Sequence, residues 1–210
     1  MTLSELSTSL LGCQRCKLSR LGRTQVVFGT GNPRASIMFV GEAPGFYEDQ
    51  KGEPFVGAAG KLLTELLASA GLSRQEVYIA NVIKCRPPNN RDPEPDEVET
   101  CKPFLMQQIA EINPKLVCTL GNWATQTILE KKVGITKVRG QVITMPKFTV
   151  FPLLHPAAAL HQGNLRGPLE EDFRKLKAYL DRLTAPPAPT ASAPAPLAAS
   201  SPPPQMELFS

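Results

Sequence analysis

The 210-residue chain contains no run of the ~18 consecutive apolar residues that a membrane-spanning helix requires, which excludes a helical membrane protein. Its N-terminus lacks the basic segment followed by an apolar stretch that marks a secretory signal, so a cytoplasmic protein is expected. In that reducing compartment, five cysteines argue for metal ligation or catalysis over disulfides. No internal repeat is present. Charge is nearly missing from residues 185–210, which hold no Lys or Arg and one acid, Glu207. From Ala185 to Pro204 the composition is Pro, Ala, Ser and Thr with hardly an apolar anchor. Such a stretch buries too little to fold and reads as an extended linker, reaching up to ~60 Å at ~3 Å per residue. Setting Glu207 aside from the chain's 19 acids moves the net charge of the remainder from +4 to +5. That balance suits a polyanion without demanding one. Residues 1–184 are the right size for one domain.

What is present is an alternation of short apolar runs and helical patterns. Residues 2–12 read as a helix with Leu3, Leu6 and Leu10 on one stripe. Strands are expected at 36–40, 77–83, 115–120 and 149–154, with an additional one over 138–145. Helices are expected over 58–70, 95–111, 122–130 and 168–183, and loops over 49–57 and 156–166. Apolar content on both faces of 77–83 implies a sheet covered on both sides. The fold class expected is α/β, a three-layer α/β/α sandwich around a short, mostly parallel sheet.

In such a sheet ligands sit beyond the carboxyl ends of the strands. The first strand runs straight into Gly41-Glu42-Ala43-Pro44-Gly45, a turn in which glycine permits close backbone approach and proline fixes the path. Asn81 and His155 also fall at strand ends. Glu42, Asn81 and His155 are far apart in sequence, yet the topology places all three along one edge.

Four cysteines form a pattern: Cys13-x2-Cys16, then Cys85, then Cys101. One close pair and two distant thiols can close on a metal centre, and thiolates select zinc or iron–sulfur clusters. Zinc ribbons usually supply two close pairs, and this chain has one. Arg15, Lys17, Lys84, Arg86 and Lys102 would offset the thiolate charge. Cys118 lies inside an apolar strand and reads as a small buried hydrophobe.

Several motifs occur in order: Gly-Glu-Ala-Pro-Gly (41–45), Pro-Phe-Val-Gly (54–57), Lys-Cys-Arg-Pro-Pro within Asn81 to Arg91, Leu-Gly (120–121), Ile-Thr-Lys-Val-Arg-Gly (135–140) and His-Pro (155–156). Together, over about residues 1–183, they resemble family 4 uracil-DNA glycosylase, the 4Fe–4S branch of its superfamily. The resemblance implies a monomer that acts on uracil-containing DNA, with Cys13, Cys16, Cys85 and Cys101 holding a 4Fe–4S cluster. It implies a uracil pocket made by Gly41, Glu42, Ala43, Phe55, Asn81 and His155. Phe55 would stack on the base, Asn81 would read its N3 and O4 edge, and His155 would stand at O2. Glu42, Glu48 and Asn90 match the catalytic positions, with either glutamate able to align the water, and Glu48 able instead to crowd the C5 position. Leu160 as a wedge, Arg166 on a phosphate and Arg139 are the implied DNA contacts. Phe46-Tyr47 departs from the family, which often has acids there. Ala157-Ala158-Ala159 departs too, where bulkier residues are common. A basic insertion found before the histidine of a covalent uracil-binding subgroup is missing, which favours turnover.

Two other functions remain open on sequence grounds: a non-catalytic uracil or DNA reader, and a zinc-stapled binding domain. The last residues, Gln205-Met206-Glu207-Leu208-Phe209, resemble the Gln-x-x-Leu-Phe peptide that docks on the bacterial sliding clamp, with Gln205, Leu208 and Phe209 as its anchors.

Overall fold

The computed structural model describes residues 1–184; the linker at 185–204 and the peptide of Gln205, Leu208 and Phe209 lie outside the described residues. In chain order the elements are α1 (Leu3–Ser9), β1 (Thr30–Gly31), β2 (Ile37–Gly41), α2 (Phe46–Lys51), α3 (Ala58–Ser69), β3 (Tyr78–Asn81), α4 (Pro95–Ile112), β4 (Leu116–Leu120), α5 (Gly121–Leu129), α6 (Ile135–Val138), β5 (Ile143–Thr144), β6 (Thr149–Leu153), α7 (Pro156–His161) and α8 (Arg166–Thr184).

The strands form one sheet in the order β1-β3-β2-β4-β6-β5. The four inner strands are parallel, and the two-residue edge strands pair antiparallel. Successive side chains of a strand point to opposite faces, and β2 shows the consequence. Phe39 packs on one side with Leu63 and Leu67 of α3 and Phe173 of α8, while Met38 and Val40 pack on the other with Leu105 and Ile109 of α4. Both faces of the central strands are therefore dry, and the architecture is the expected three-layer sandwich. A smaller cluster of Leu6, Leu10 and Phe104 docks α1 on α4.

Three local expectations are corrected. Residues 46–51 are helical, where a loop was expected from 49. Glu48 reaches back to the Gly45 N–H (3.1 Å) and caps that single turn from within, a signal that apolar periodicity does not carry. Residues 138–145 split into the end of α6 and the short β5. Residues 156–166 are also mostly helical: Pro156 opens α7, and a 3₁₀ turn over Gly163–Leu165 leads into α8.

Candidate active site

The parallel register sets Gly41 opposite Asn81 at the carboxyl ends of β2 and β3, and His155 follows β6 on the same edge. Beyond these ends lies a cavity of about 250 Å³, room for one pyrimidine, walled by Glu42, Ala43, Glu48, Phe55, Asn81 and His155. Asn90 closes the same cavity from the opposite loop. The structure thus brings together the strand-end residues and their predicted companions.

Gly41 lies beneath the cavity. A Cβ there would come within 2.6 Å of the Phe55 ring and collide with Asn81 Oδ1, so only glycine lets the ring and the amide close over this turn. Phe55 itself is held at φ 55°, a left-handed conformation that costs a bulky residue about 1–2 kcal/mol. Arg74 holds it there by donating to the carbonyls of Pro54 (2.9 Å) and Phe55 (3.1 Å). Asn81 is 2% exposed, and its Oδ1 has no hydrogen-bond partner among the described residues. An orphaned buried acceptor costs about 1–3 kcal/mol, and a ligand N–H at this place would recover it.

His155 caps α7: its Nδ1 accepts the Ala157 N–H at 3.1 Å. That bond places the imidazole proton on Nε2, leaving Nε2–H as a donor. The ring lies 5.7 Å from that of Phe55, centroid to centroid, and lines the cavity. Desolvation pushes its pKa down to about 4, against a smaller opposing pull from Glu48, so the ring is neutral at pH 7. Behind it, Asp172 accepts the Leu154 N–H at 3.1 Å and the Arg139 Nε–H at 3.1 Å, fixing the end of β6 where His155 emerges.

The two glutamates differ in kind. Glu48 accepts three backbone N–H groups, from Gly45, Val56 (2.9 Å) and Gly57 (2.9 Å), and braces the 41–45 turn against the Phe55 segment. Burial, with the nearby Asp92 charge, pushes Glu42 up to about 7. Asn90 Oδ1 accepts from Arg86 Nε at 2.7 Å, which orients its amide at the cavity wall.

A family model for the uracil DNA glycosylase superfamily matches residues 28–183. A protein of Sulfurisphaera tokodaii called type-4 uracil-DNA glycosylase is 50% identical over 185 residues, spanning 84% of this chain and 84% of its own length. Proteins of the same name from Archaeoglobus fulgidus (48% over 183 residues; 83% of this chain, 92% of its own) and Saccharolobus solfataricus (51% over 177; 80% and 82%) agree. The chain belongs to the type-4 uracil-DNA glycosylases. The three-layer fold and the strand-end cavity are this type-4 chain's own version of the superfamily domain.

In this type-4 chain Cys13, Cys16, Cys85 and Cys101 line one small cleft together with Leu10, Val26 and Phe104. Cys13 and Cys16 follow α1, Cys85 follows β3, and Cys101 sits on α4, so the cleft joins three parts of the fold. Among the described residues no three His, Cys, Asp or Glu converge closely enough for a single metal ion. Four thiols around one cleft are a donor set that an iron–sulfur group would take. N–H donors to the sulfurs are in place: Arg23 Nη1 to Cys85 Sγ (2.8 Å) and the Lys84 amide to Cys101 Sγ (3.3 Å). Cys118 is fully buried in β4, away from the cleft, as expected of a packing residue.

The expected DNA contacts fare differently. Leu160 is 47% exposed on α7, beside the cavity-lining His161, which sequence reasoning did not single out. Arg166 is exposed at the start of α8, loosely held by Glu170. Arg139 is not free: its guanidinium bonds Asp172 and the Pro168 carbonyl. Sequence reasoning also missed Arg23, Arg74 and Asp172. Asp172 had a signal, since Leu169, Asp172, Phe173 and Leu176 form one buried helical stripe with a single acid in it. Lys84 was read as a charge near the cysteines. It is fully buried, with Nζ donating to the Asn81 carbonyl (2.7 Å) and to Gln108 (2.5 Å).

Proposed function

We propose that this chain draws a deoxyuridine out of DNA into the 250 Å³ cavity and hydrolyses its N-glycosidic bond, releasing uracil and leaving an abasic site in base-excision repair. The observation that carries the reading is the buried Asn81 Oδ1, which has no hydrogen-bond partner among the described residues and lines the cavity together with Phe55. Uracil offers the N3–H that this acceptor lacks, and its O4 accepts from the Asn81 amide. Cytosine presents an acceptor at N3 and donors at N4, so both contacts fail. Unpaired buried polar groups of this kind discriminate by ~10⁴ or more.

As the C1′–N1 bond breaks, its electron pair stays with the base and the sugar gains oxocarbenium character. The neutral His155 donates Nε2–H toward O2, where the negative charge gathers. Water attacks C1′ and gives up a proton. Glu42 is the carboxylate free to take it, whereas Glu48 is occupied by three amides and serves as a fixed wall. That unbonded base favours turnover over passive reading of uracil. The test is to incubate the protein with a uracil-containing oligonucleotide and treat with alkali. Strand cleavage at the uracil is expected, and an intact strand would refute the reading.

The Glu42 assignment carries a pH dependence. Uracil release should rise with pH through about 7 as Glu42 ionises, and then level off. No limb from His155 is expected near its usual value, because the ring stays neutral down to about 4. In Glu42→Gln the limb near 7 should vanish and the plateau fall by ~10²–10⁴. A retained limb would take the role of base away from Glu42.

Cys13, Cys16, Cys85 and Cys101 would hold a 4Fe–4S cluster, which acts as a staple between α1, the end of β3 and α4. Cys13→Ala should lose the visible absorbance of the cluster and lower Tm by about 10 °C, from a loss on the order of 3 kcal/mol at about 2–4 °C per kcal/mol. A variant that kept both colour and Tm would remove Cys13 from the ligand set. We further propose that Gln205, Leu208 and Phe209 tether this domain to the bacterial sliding clamp.

A further inference from the structure

Phe46 and Tyr47 stand at the rim of the cavity. They directly follow Gly45, which lines it, and Tyr47 lies against Gly57, within 3.4 Å of where a Cβ there would be. Both are large and open to solvent, 49% and 60% exposed. Their rings meet edge to face at 5.5 Å and 82°. From the opposite loop Arg86 lays its guanidinium over the Phe46 ring, 5.0 Å from the centroid, while its Nε bonds the cavity-lining Asn90. The result is an aromatic and cationic shelf bridging both loops at the mouth. Exposed apolar surface of this size beside a site is a contact surface, and no other described element covers these rings.

We propose that Phe46, Tyr47 and Arg86 form a stacking platform for a nucleobase of the substrate strand that neighbours the extruded deoxyuridine. This rests on the proposed function for the identity of the strand. A polynucleotide whose uracil sits in the cavity must pass over this rim on its way in. Its next base, unstacked by the extrusion, has an exposed π-face that any aromatic ring accepts regardless of sequence. The Arg86 cation adds attraction to the ring below it and to the backbone alongside. A shelf of this kind favours single-stranded or locally opened DNA, where the neighbouring base is free.

The test pairs a change in the protein with a change in the DNA. Single-stranded uracil oligonucleotides are made with ordinary bases on both sides of the uridine, or with tetrahydrofuran abasic residues there, and Kd is read by fluorescence anisotropy. For the wild-type chain, removing the neighbouring bases should weaken binding by about 5- to 150-fold, the range for loss of one stacked base. The Phe46→Ala/Tyr47→Ala double variant should bind both oligonucleotides alike, near the weakened wild-type level. Phe46→Trp, which keeps a stacking ring, should keep the wild-type difference. Equal losses in the wild type and the double variant, or no loss in the wild type, would overturn the platform. Uracil release is followed separately: a wild type that discriminates the two oligonucleotides yet releases no uracil would sink the proposed reaction and leave the platform standing.

Discussion

Asn81→Ala should lose about 10³ or more in kcat/KM for uracil excision, and it should do so without loss of stability. The activity argument is that two directional contacts to the base vanish from a buried site. The stability argument runs the other way. Asn81 Oδ1 is buried with no hydrogen-bond partner among the described residues, and such a group costs the fold about 1–3 kcal/mol. Removing it relieves that cost, so Tm should stay level or rise. Steady-state kinetics on a uracil oligonucleotide and a thermal melt together check both halves. A large drop in Tm alongside the lost activity would mean that the amide is a core element instead of a recognition group.

His155→Ala should slow uracil release by ~10²–10³, the usual loss when a donor to a developing oxyanion is removed. It should also change how stability responds to acid. The folded wild type holds His155 with a pKa of about 4, below its ordinary value of 6.5, so between these values the unfolded chain binds more protons than the folded one. Stability from this group is complete above pH 6.5 and drains away as pH falls toward 4. The alanine variant lacks that drain, so its stability should vary less with pH across the window. It does lose the cap on the Ala157 N–H, worth about 1 kcal/mol while the ring is neutral. Glu42 acts in the opposite sense: its folded pKa of about 7 lies above the usual 4.5, so its contribution is complete below 4.5 and is lost as pH rises through 7. Denaturant melts between pH 4 and 8 on the wild type and both single variants separate the two contributions.

The residues that meet in the cavity were legible because a parallel sheet has one carboxyl edge, and Glu42, Asn81 and His155 each sit at the end of an apolar run. The layers were legible from 77–83, whose apolar content falls on both faces, as it does in a sheet covered on both sides. What could not be read was anything decided by partners distant in sequence. Glu48 looked like a candidate for chemistry or a solvated acid. Its role as a brace depends on the amides of Val56 and Gly57, eight and nine residues on, across a turn whose path is set by the strained Phe55. Arg139, expected at the DNA, bonds Asp172 of α8, a partner that no local pattern announces. The stretch 156–166 was misread although its signals were present: a proline at the first helical position and an alanine run behind a capping side chain are local helix features.

Lys84 shows how the two centres are joined. Its amide reaches Cys101 Sγ while its ammonium bonds the Asn81 carbonyl, so one residue spans the thiol cleft and the cavity end of β3. Burial pushes its pKa down to about 8, with the neighbouring thiols pulling the other way. Lys84 thus ties the cysteine cleft to the Asn81 end of β3.

The most direct measurement is a crystal structure of the protein with uracil bound. The base should lie against Phe55, with N3 within hydrogen-bond distance of Asn81 Oδ1 and O2 within reach of His155 Nε2. Uracil bound elsewhere on the surface, or in the cavity with its N3–O4 edge turned away from Asn81, would contradict the account.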